Sequence, residues 1–214
     1  MEVVMETKQW SGEFAKGIII GICGKPGAGK DKIGDFLVSS YGFGKVDLKY
    51  PIEETVKVIF GVDDKHLYDH EAREEPLEDW SGWTTRKLLQ EVAQKMIEGF
   101  GANVWAKALC KRISYNPNKS KICISDIRTP EDVDYIRKCV QAKGGRFILM
   151  MVKRPGHGST TSGGFKNHIL ESYDLEPKCD VVFDNTGTIP NLFSAVSCFL
   201  RKACVYSSLC SPFV

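Results

Sequence analysis

Nothing in this sequence leans toward one sign of charge: 29 Lys and Arg face 27 Asp and Glu, leaving +2 at neutral pH. That balance removes the whole-chain signature of an electrostatic nucleic-acid binder, although local basic patches stay open. No CxxC pair occurs among the eight cysteines, at 23, 110, 123, 139, 179, 198, 204 and 210, and most of them lie in apolar segments. Neither a zinc framework nor a disulfide framework is expected; reduced thiols in an intracellular protein are the better reading. No apolar run approaches the ~20 residues that a membrane helix needs. The opening "MEVVMETKQWSGEFAKG" lacks the basic-then-apolar order of a signal peptide, and Cys210 lies one residue too far from the end for a prenylation box. A cytoplasmic protein with no membrane partner and no nucleic-acid partner is the expectation.

What the 214 residues do contain is repeated strand–helix alternation. "GIIIGIC" (17–23) is short, β-branched and apolar throughout, as a buried parallel strand is. "KDKIGDFLVSSYG" puts Ile33, Phe36 and Leu37 on one helical face, with Gly42 as a stop. "FGKVDLKY" (43–50) reads as a second strand, and Pro51 opens a helix that runs to Phe60. Residues 61–83 read as polar and irregular. "TTRKLLQEVAQKMIEGF" (84–100) carries Leu88, Leu89, Val92, Met96 and Phe100 at helical spacing, and a further helix covers 104–113. "SKICISDIR" (120–128), "GRFILMMVKRP" (145–155) and "DVVFDN" (180–185) read as strands, with "PEDVDYIRKCVQAKG" and "IPNLFSAVSCFLRKA" as helices.

This order predicts an α/β fold, a five-stranded parallel sheet with helices on both faces. Length and composition fit one domain over 17–205, between a flexible leader (1–16) and a tail (206–214). Within it, 61–118 is expected as a helical insertion flanking a bound acceptor, and 155–172 as a lid. The apolar face of the last helix (Leu192, Phe193, Val196, Leu200) is assigned to the core, and a homodimer is left open. In such sheets ligands sit beyond the carboxyl ends of the strands, which directs attention to the loops after Cys23, Asp126 and Arg154.

The first of these loops is "GICGKPGAGKDK". Gly24, Gly27 and Gly29 let the backbone curl with its N–H groups inward just before a helix N-terminus, a concave anion site. Lys30 then sets a cation against β- and γ-phosphate oxygens. The ATP phosphates are expected on Gly24, Lys25, Gly27, Ala28, Gly29, Lys30, Asp31 and Lys32. Asp31 occupies the place where such loops carry a Ser or Thr for magnesium. Its carboxylate can hold Mg²⁺ or one of its waters, or support the helix dipole, and the two roles are compatible. Asp126, at the end of "ICISD", is the second candidate for the magnesium shell.

Transfer of a phosphoryl group to a second phosphate requires cations between two anionic ligands. Arg86, Arg128 and Arg154 stand near helix starts or strand ends, and a guanidinium grips phosphate oxygens bidentately. No general base is needed, because a monophosphate oxygen is already anionic near neutral pH; positioning and charge neutralisation suffice.

Taken together these blocks resemble the deoxynucleoside monophosphate kinases of DNA phages and large DNA viruses. "GKPGAGKD", "YPIEE", "WTTRKLLQ" with Trp105 further on, "DIRTPED", "VKRPG", "HILE" and "DNTGTI" follow in the family's order from about residue 17 to 200. The family also places Asp after the loop lysine, so Asp31 resembles a family trait. The resemblance implies a P-loop NTPase fold with strand order 2-3-1-4-5. It implies use of ATP and Mg²⁺ and small-molecule nucleotides as partners. Lys30, Arg128 and Arg154 would act on the transferred group. Asp47, Lys49, Arg86, Gln90, Trp105, Asp126, Arg128 and Glu171 would contact the deoxynucleotide, with His168 beside the lid. Two departures stand out: Lys32 replaces the family's Thr, and "EVAQKMIEGFG" replaces its Gly–Thr step after "LLQ". A phosphomevalonate kinase of the animal type, which shares the loop and layout, and a nucleotide-binding module without turnover remain the alternatives.

Overall fold

The computed structural model describes residues 17–114, 121–156 and 173–203. The expected leader and tail lie outside these residues, as does nearly all of the expected lid, including His168 and Glu171. Five strands, β1 (Ile18–Cys23), β2 (Gly44–Asp47), β3 (Lys121–Ser125), β4 (Arg146–Lys153) and β5 (Val181–Asp184), form one sheet. Its order is β2-β3-β1-β4-β5 and every pairing is parallel. This is the order the resemblance implied, and with the glycine loop after β1 it is the P-loop fold.

The pleat sorts the core into two layers. Ile18, Ile20 and Ile22 of β1, with Ile148, Met150 and Val152 of β4, point to one face. There they pack on α1 (Lys30–Tyr41) and α7 (Ile189–Lys202) through Ile33, Leu37, Leu192, Val196 and Leu200. The alternate residues Ile122, Ile124, Phe147, Leu149 and Met151 meet α5 (Val104–Ser114) and α6 (Pro130–Ala142) on the other face. The apolar side of the last helix is therefore core, and Phe193 stacks on Phe36 with ring centroids 4.2 Å apart. All six cysteines among the described residues are free thiols, and none of the described helices is long and apolar enough to cross a membrane.

Between β2 and β3 the chain builds a helical layer beside the sheet edge: α2 (Tyr50–Phe60), α3 (Asp64–Tyr68), α4 (Thr85–Phe100) and α5. Segment 61–83, read as irregular, contains the short α3 and a 3₁₀ turn at Ala72–Glu74. The Asp63 carboxylate caps α3 by accepting from the His66 backbone N–H at 2.9 Å. Its polar sequence hides three anchors, Val62, Leu67 and Ala72, all buried; Val62 and Leu67 pack on Val56 and Leu88 in a small separate core. Periodicity misses such a helix because one turn is too short to show a stripe.

Candidate active site

The loop after β1 is built for close approach to an anion. Gly24 has φ +138, and a Cβ there would lie 2.3 Å from the Val152 carbonyl oxygen. Gly29 has φ +110, and a Cβ would lie 2.9 Å from Asn185 Nδ2. That amide, at the end of β5, donates to the Ala28 carbonyl at 2.9 Å and pins the loop from below. Gly29 caps α1 without any side chain, so the first N–H groups of the helix face the loop uncapped. The Lys30 ammonium folds back over the loop, donating to the carbonyls of Gly24 (2.8 Å) and Lys25 (3.1 Å). These carbonyls hold the cation where an anion entering the loop would meet it.

Asp31 lies on the first turn of α1 with an 81% exposed side chain, 3.7 Å from Lys45 of β2. Lys45 is held more closely by Asp35, at 3.0 Å. The expected metal partner of Asp31, Asp126, stands one residue beyond the end of β3 rather than within it. Among the described non-glycine residues it has the left-handed backbone conformation, φ 65, which Asp tolerates better than most residues. The turn sends Ile127 into the core, its N–H donating to the Ile22 carbonyl at 3.3 Å. Arg128 grips Asp126 Oδ2 through Nε (3.1 Å) and a terminal nitrogen (2.6 Å). Burial pushes the Asp126 carboxyl up, but Arg128, with Lys30 and Lys49 behind it, more than offsets that and holds it below the ordinary carboxylate value. Lys30 and Asp126 therefore already belong to one electrostatic site.

From Asp126 a cleft of about 220 Å³ opens between the sheet edge and the helical layer. Lys49, Arg86, Gln90, Trp105, Asp126 and Arg128, all expected acceptor contacts, line it. Arg86 is ion-paired with Glu74. Trp105 is buried and donates to the Ala93 carbonyl at 3.3 Å, so it serves as a wall with its polar edge already used. Asp47 does not line the cleft: it pairs with Ser125 across the β2–β3 ladder, and the Ser125 hydroxyl donates to its carboxylate. Arg154, at the end of β4, is exposed and outside the cleft lining.

Sequence reasoning missed three charged residues that line the cleft: Glu53, Arg73 and Asp132. Glu53 is 3% exposed, and its Oε1 lies 3.0 Å from Lys49 Nζ and 3.7 Å from a terminal nitrogen of Arg73. Asp132, on the first turn of α6, is 5% exposed. Glu53 and Asp132 fall inside "YPIEE" and "DIRTPED", so their blocks were visible although their burial was not. Arg73 sits in the 61–83 segment, which carried no readable pattern.

No family model matches the chain. Over 197 residues, 84% of this chain and 94% of the relative, it is 27% identical to an Acanthamoeba polyphaga mimivirus protein named "Putative deoxynucleotide monophosphate kinase". Solved structures of similar layout include a sugar kinase from Janibacter, 15% identical, with 92% of this chain and 99% of that one covered and a TM-score of 0.49. Shikimate kinase from Aquifex aeolicus is 15% identical over 88% of this chain and 99% of that one, with a TM-score of 0.46. An APS kinase from Mycobacterium tuberculosis, solved with AMPPNP and APS, is 11% identical over 87% and 98%, with a TM-score of 0.48. By its strand order and glycine loop the chain has the P-loop fold, and along most of its length it is similar to a giant-virus protein that bears a deoxynucleotide kinase name.

Proposed function

We propose that this protein transfers the γ-phosphoryl group of ATP to deoxynucleoside 5′-monophosphates, giving deoxynucleoside diphosphates and ADP, and so supplies precursors for DNA synthesis. The observation that carries the reading is the continuity of two anion sites. The glycine loop with Lys30 meets, at Asp126 and Arg128, a separate cleft into which Lys49, Arg73 and Arg86 also face. A nucleotide hydrolase needs only the first of these sites.

In this reading the loop N–H groups and the α1 N-terminus hold the donor phosphates, and Lys30 neutralises charge on the transferred group. Arg128 reaches the acceptor phosphate from the strand end, with Arg86 and Lys49 beside it, and Arg154 joins from the lid side. The acceptor oxygen is already anionic, so these residues align it and offset repulsion without removing a proton. Among the described residues no three His, Cys, Asp or Glu side chains stand together as a metal cage. Asp126 fits magnesium in the manner usual for that ion, as one carboxylate beside substrate phosphates, and Asp31 would first have to leave Lys45. When bound, the ion supplies charge neutralisation between phosphate oxygens.

The test is ADP release coupled to each common deoxynucleoside monophosphate, with phosphomevalonate as a control acceptor. Turnover on at least one deoxynucleotide is expected, with a loss of about 10²–10³-fold or more in Lys30→Ala. Turnover on phosphomevalonate alone, on no acceptor, or undiminished by Lys30→Ala would refute it.

A further inference from the structure

Beside the two anion sites lies a pair of thiols that phosphoryl transfer does not use. Cys23 closes β1 immediately before Gly24 and is fully buried. Cys179 ends the 3₁₀ turn Glu176–Lys178, just ahead of β5, and is half-buried. They are 156 residues apart in the chain, yet their sulfurs stand 3.6 Å from each other. β4 runs between their strands: Cys23 pairs with Met151, and the Asp180 N–H donates to the Leu149 carbonyl at 2.9 Å. The sulfurs therefore meet across β4. A bond between them would tie the residue that leads into the phosphate loop to the turn that leads into the edge strand.

The two thiols are chemically unequal. Cys179 donates to the Leu175 carbonyl at 3.1 Å, which leaves Cys23 to donate to the Cys179 sulfur. That bond, with Arg137 adding to it, holds the Cys179 thiol below its ordinary value against burial and the charges of Asp180 and Glu176. Cys23 keeps its proton, pushed up by the same bond and by burial. A half-buried sulfur that ionises, next to a buried thiol that can resolve it, is the arrangement a peroxide converts to a disulfide. The second thiol pair, Cys110 with Cys139, lies on α5 and α6 rather than at the phosphate loop, and burial pushes Cys110 up to about 12. Cys123 is fully buried and likewise pushed up to about 12.

We infer that Cys23 and Cys179 are an oxidisable pair whose disulfide lowers the affinity of the phosphate loop for ATP. In the first step the Cys179 thiolate attacks hydrogen peroxide: an S–O bond forms, the O–O bond breaks, and hydroxide leaves. The Cys23 sulfur then attacks the Cys179 sulfenic acid, an S–S bond forms, and the departing hydroxide takes the Cys23 proton as water. Two thiols and one peroxide give one disulfide and two waters, the peroxide accepting both electrons. Oxidising Cys179 also removes the charge that held the Cys23 proton. Bonding draws the sulfurs from 3.6 Å to ~2.05 Å, a movement of roughly 1.5 Å. Part of it falls on Cys23 and so on Gly24, whose carbonyl receives Lys30 at 2.8 Å and which packs closely on the Val152 carbonyl. A misplacement of about 1 Å at a reacting phosphate can cost on the order of 10²-fold.

The full chain is treated with hydrogen peroxide, alkylated, digested and mapped by mass spectrometry. ATP binding is measured by calorimetry before oxidation, after it, and after dithiothreitol. Expected are a cross-linked peptide joining Cys23 to Cys179, a rise of at least about tenfold in the Kd for ATP, and reversal of both on reduction. Cys179→Ser binds ATP as the reduced wild type does and keeps that affinity in peroxide; Cys179→Ala replaces it should the first fold poorly. Cys110→Ser stays as sensitive as the wild type. In glutathione buffers, ATP shifts the pair toward the dithiol by the same factor by which oxidation weakens ATP binding, because coupling is reciprocal. No Cys23–Cys179 peptide while other cysteines are oxidised, unchanged ATP affinity in cross-linked protein, or equal sensitivity in Cys179→Ser overturns the inference. The cross-link is read without an acceptor, so these outcomes leave the kinase reading to its own assay.

Discussion

The buried carboxylate of Asp132 should weaken the fold, and the effect can be read from stability alone. Asp132 is 5% exposed, and burial raises its carboxyl from 3.8 to about 6. A folded-state value above the unfolded one means that the native protein binds the proton more tightly. The ionised form therefore destabilises the fold at neutral and higher pH, and stability is regained as pH falls through 6 toward 4. A rise from 3.8 to about 6 corresponds to ~3 kcal/mol. Asp132→Asn removes the charge but leaves a buried amide N–H₂ without an acceptor, which costs about 1–2 kcal/mol in its place. A net gain of about 1–2 kcal/mol at pH 8 is expected, a rise in Tm of roughly 2–8 °C for a domain of this size. The pH dependence is the sharper readout. Between pH 8 and pH 5 the wild type should gain ~1.4 kcal/mol relative to the Asp132→Asn variant, because about half of the linkage is recovered by then. Urea unfolding of both proteins across that range measures it. A gap between the two that does not vary with pH, or one that widens toward acid, would refute the reasoning.

Asn185→Ala removes the amide that pins Ala28; stability should fall by about 1 kcal/mol, with a larger rise in the KM for ATP than in that for the acceptor. In Gly24→Ala the new Cβ meets the Val152 carbonyl oxygen, at a backbone conformation that L side chains rarely adopt; a loss of about 2–4 kcal/mol in a thermal melt, accompanied by loss of ATP binding, is expected. Arg128→Ala strips Asp126 of its bidentate partner, so kcat/KM should drop by about 10²–10³-fold while the fold survives. The Asp126 carboxyl should then titrate higher, moving the acid limb of the pH–rate profile upward, in line with Arg128 as the foremost of the cations that lower it.

The parallel sheet and the loop chemistry were readable because each rests on local patterns, whereas the strand order came from the resemblance. A β-branched apolar run such as "GIIIGIC" has few alternatives to a central parallel strand, and a glycine loop ending in Lys30 has meaning only between a strand and a helix. The burial of β4 on both faces, with Phe147, Leu149 and Met151 on one side and Ile148, Met150 and Val152 on the other, is likewise written in its unbroken apolar run. Asp47 shows the limit: an acid at a strand end looks like a ligand until its cross-strand neighbour Ser125 is known. Asp31 shows another, since its carboxylate is turned to Lys45, a residue on β2 that the loop motif says nothing about.

The sequence by itself determined the kind of sheet, the phosphate loop and the positions along the chain where cations gather, because propensity, periodicity and turn chemistry act between near neighbours. Only the tertiary structure decided which of the charged groups share a cleft and which of their atoms are left without a partner. Lys49, Glu53 and Arg73 come together from α2 and the turn beyond α3, and Asp132 reaches the same space from α6. Desolvation depends on every chain segment packed around a group at once, so no local pattern carries it.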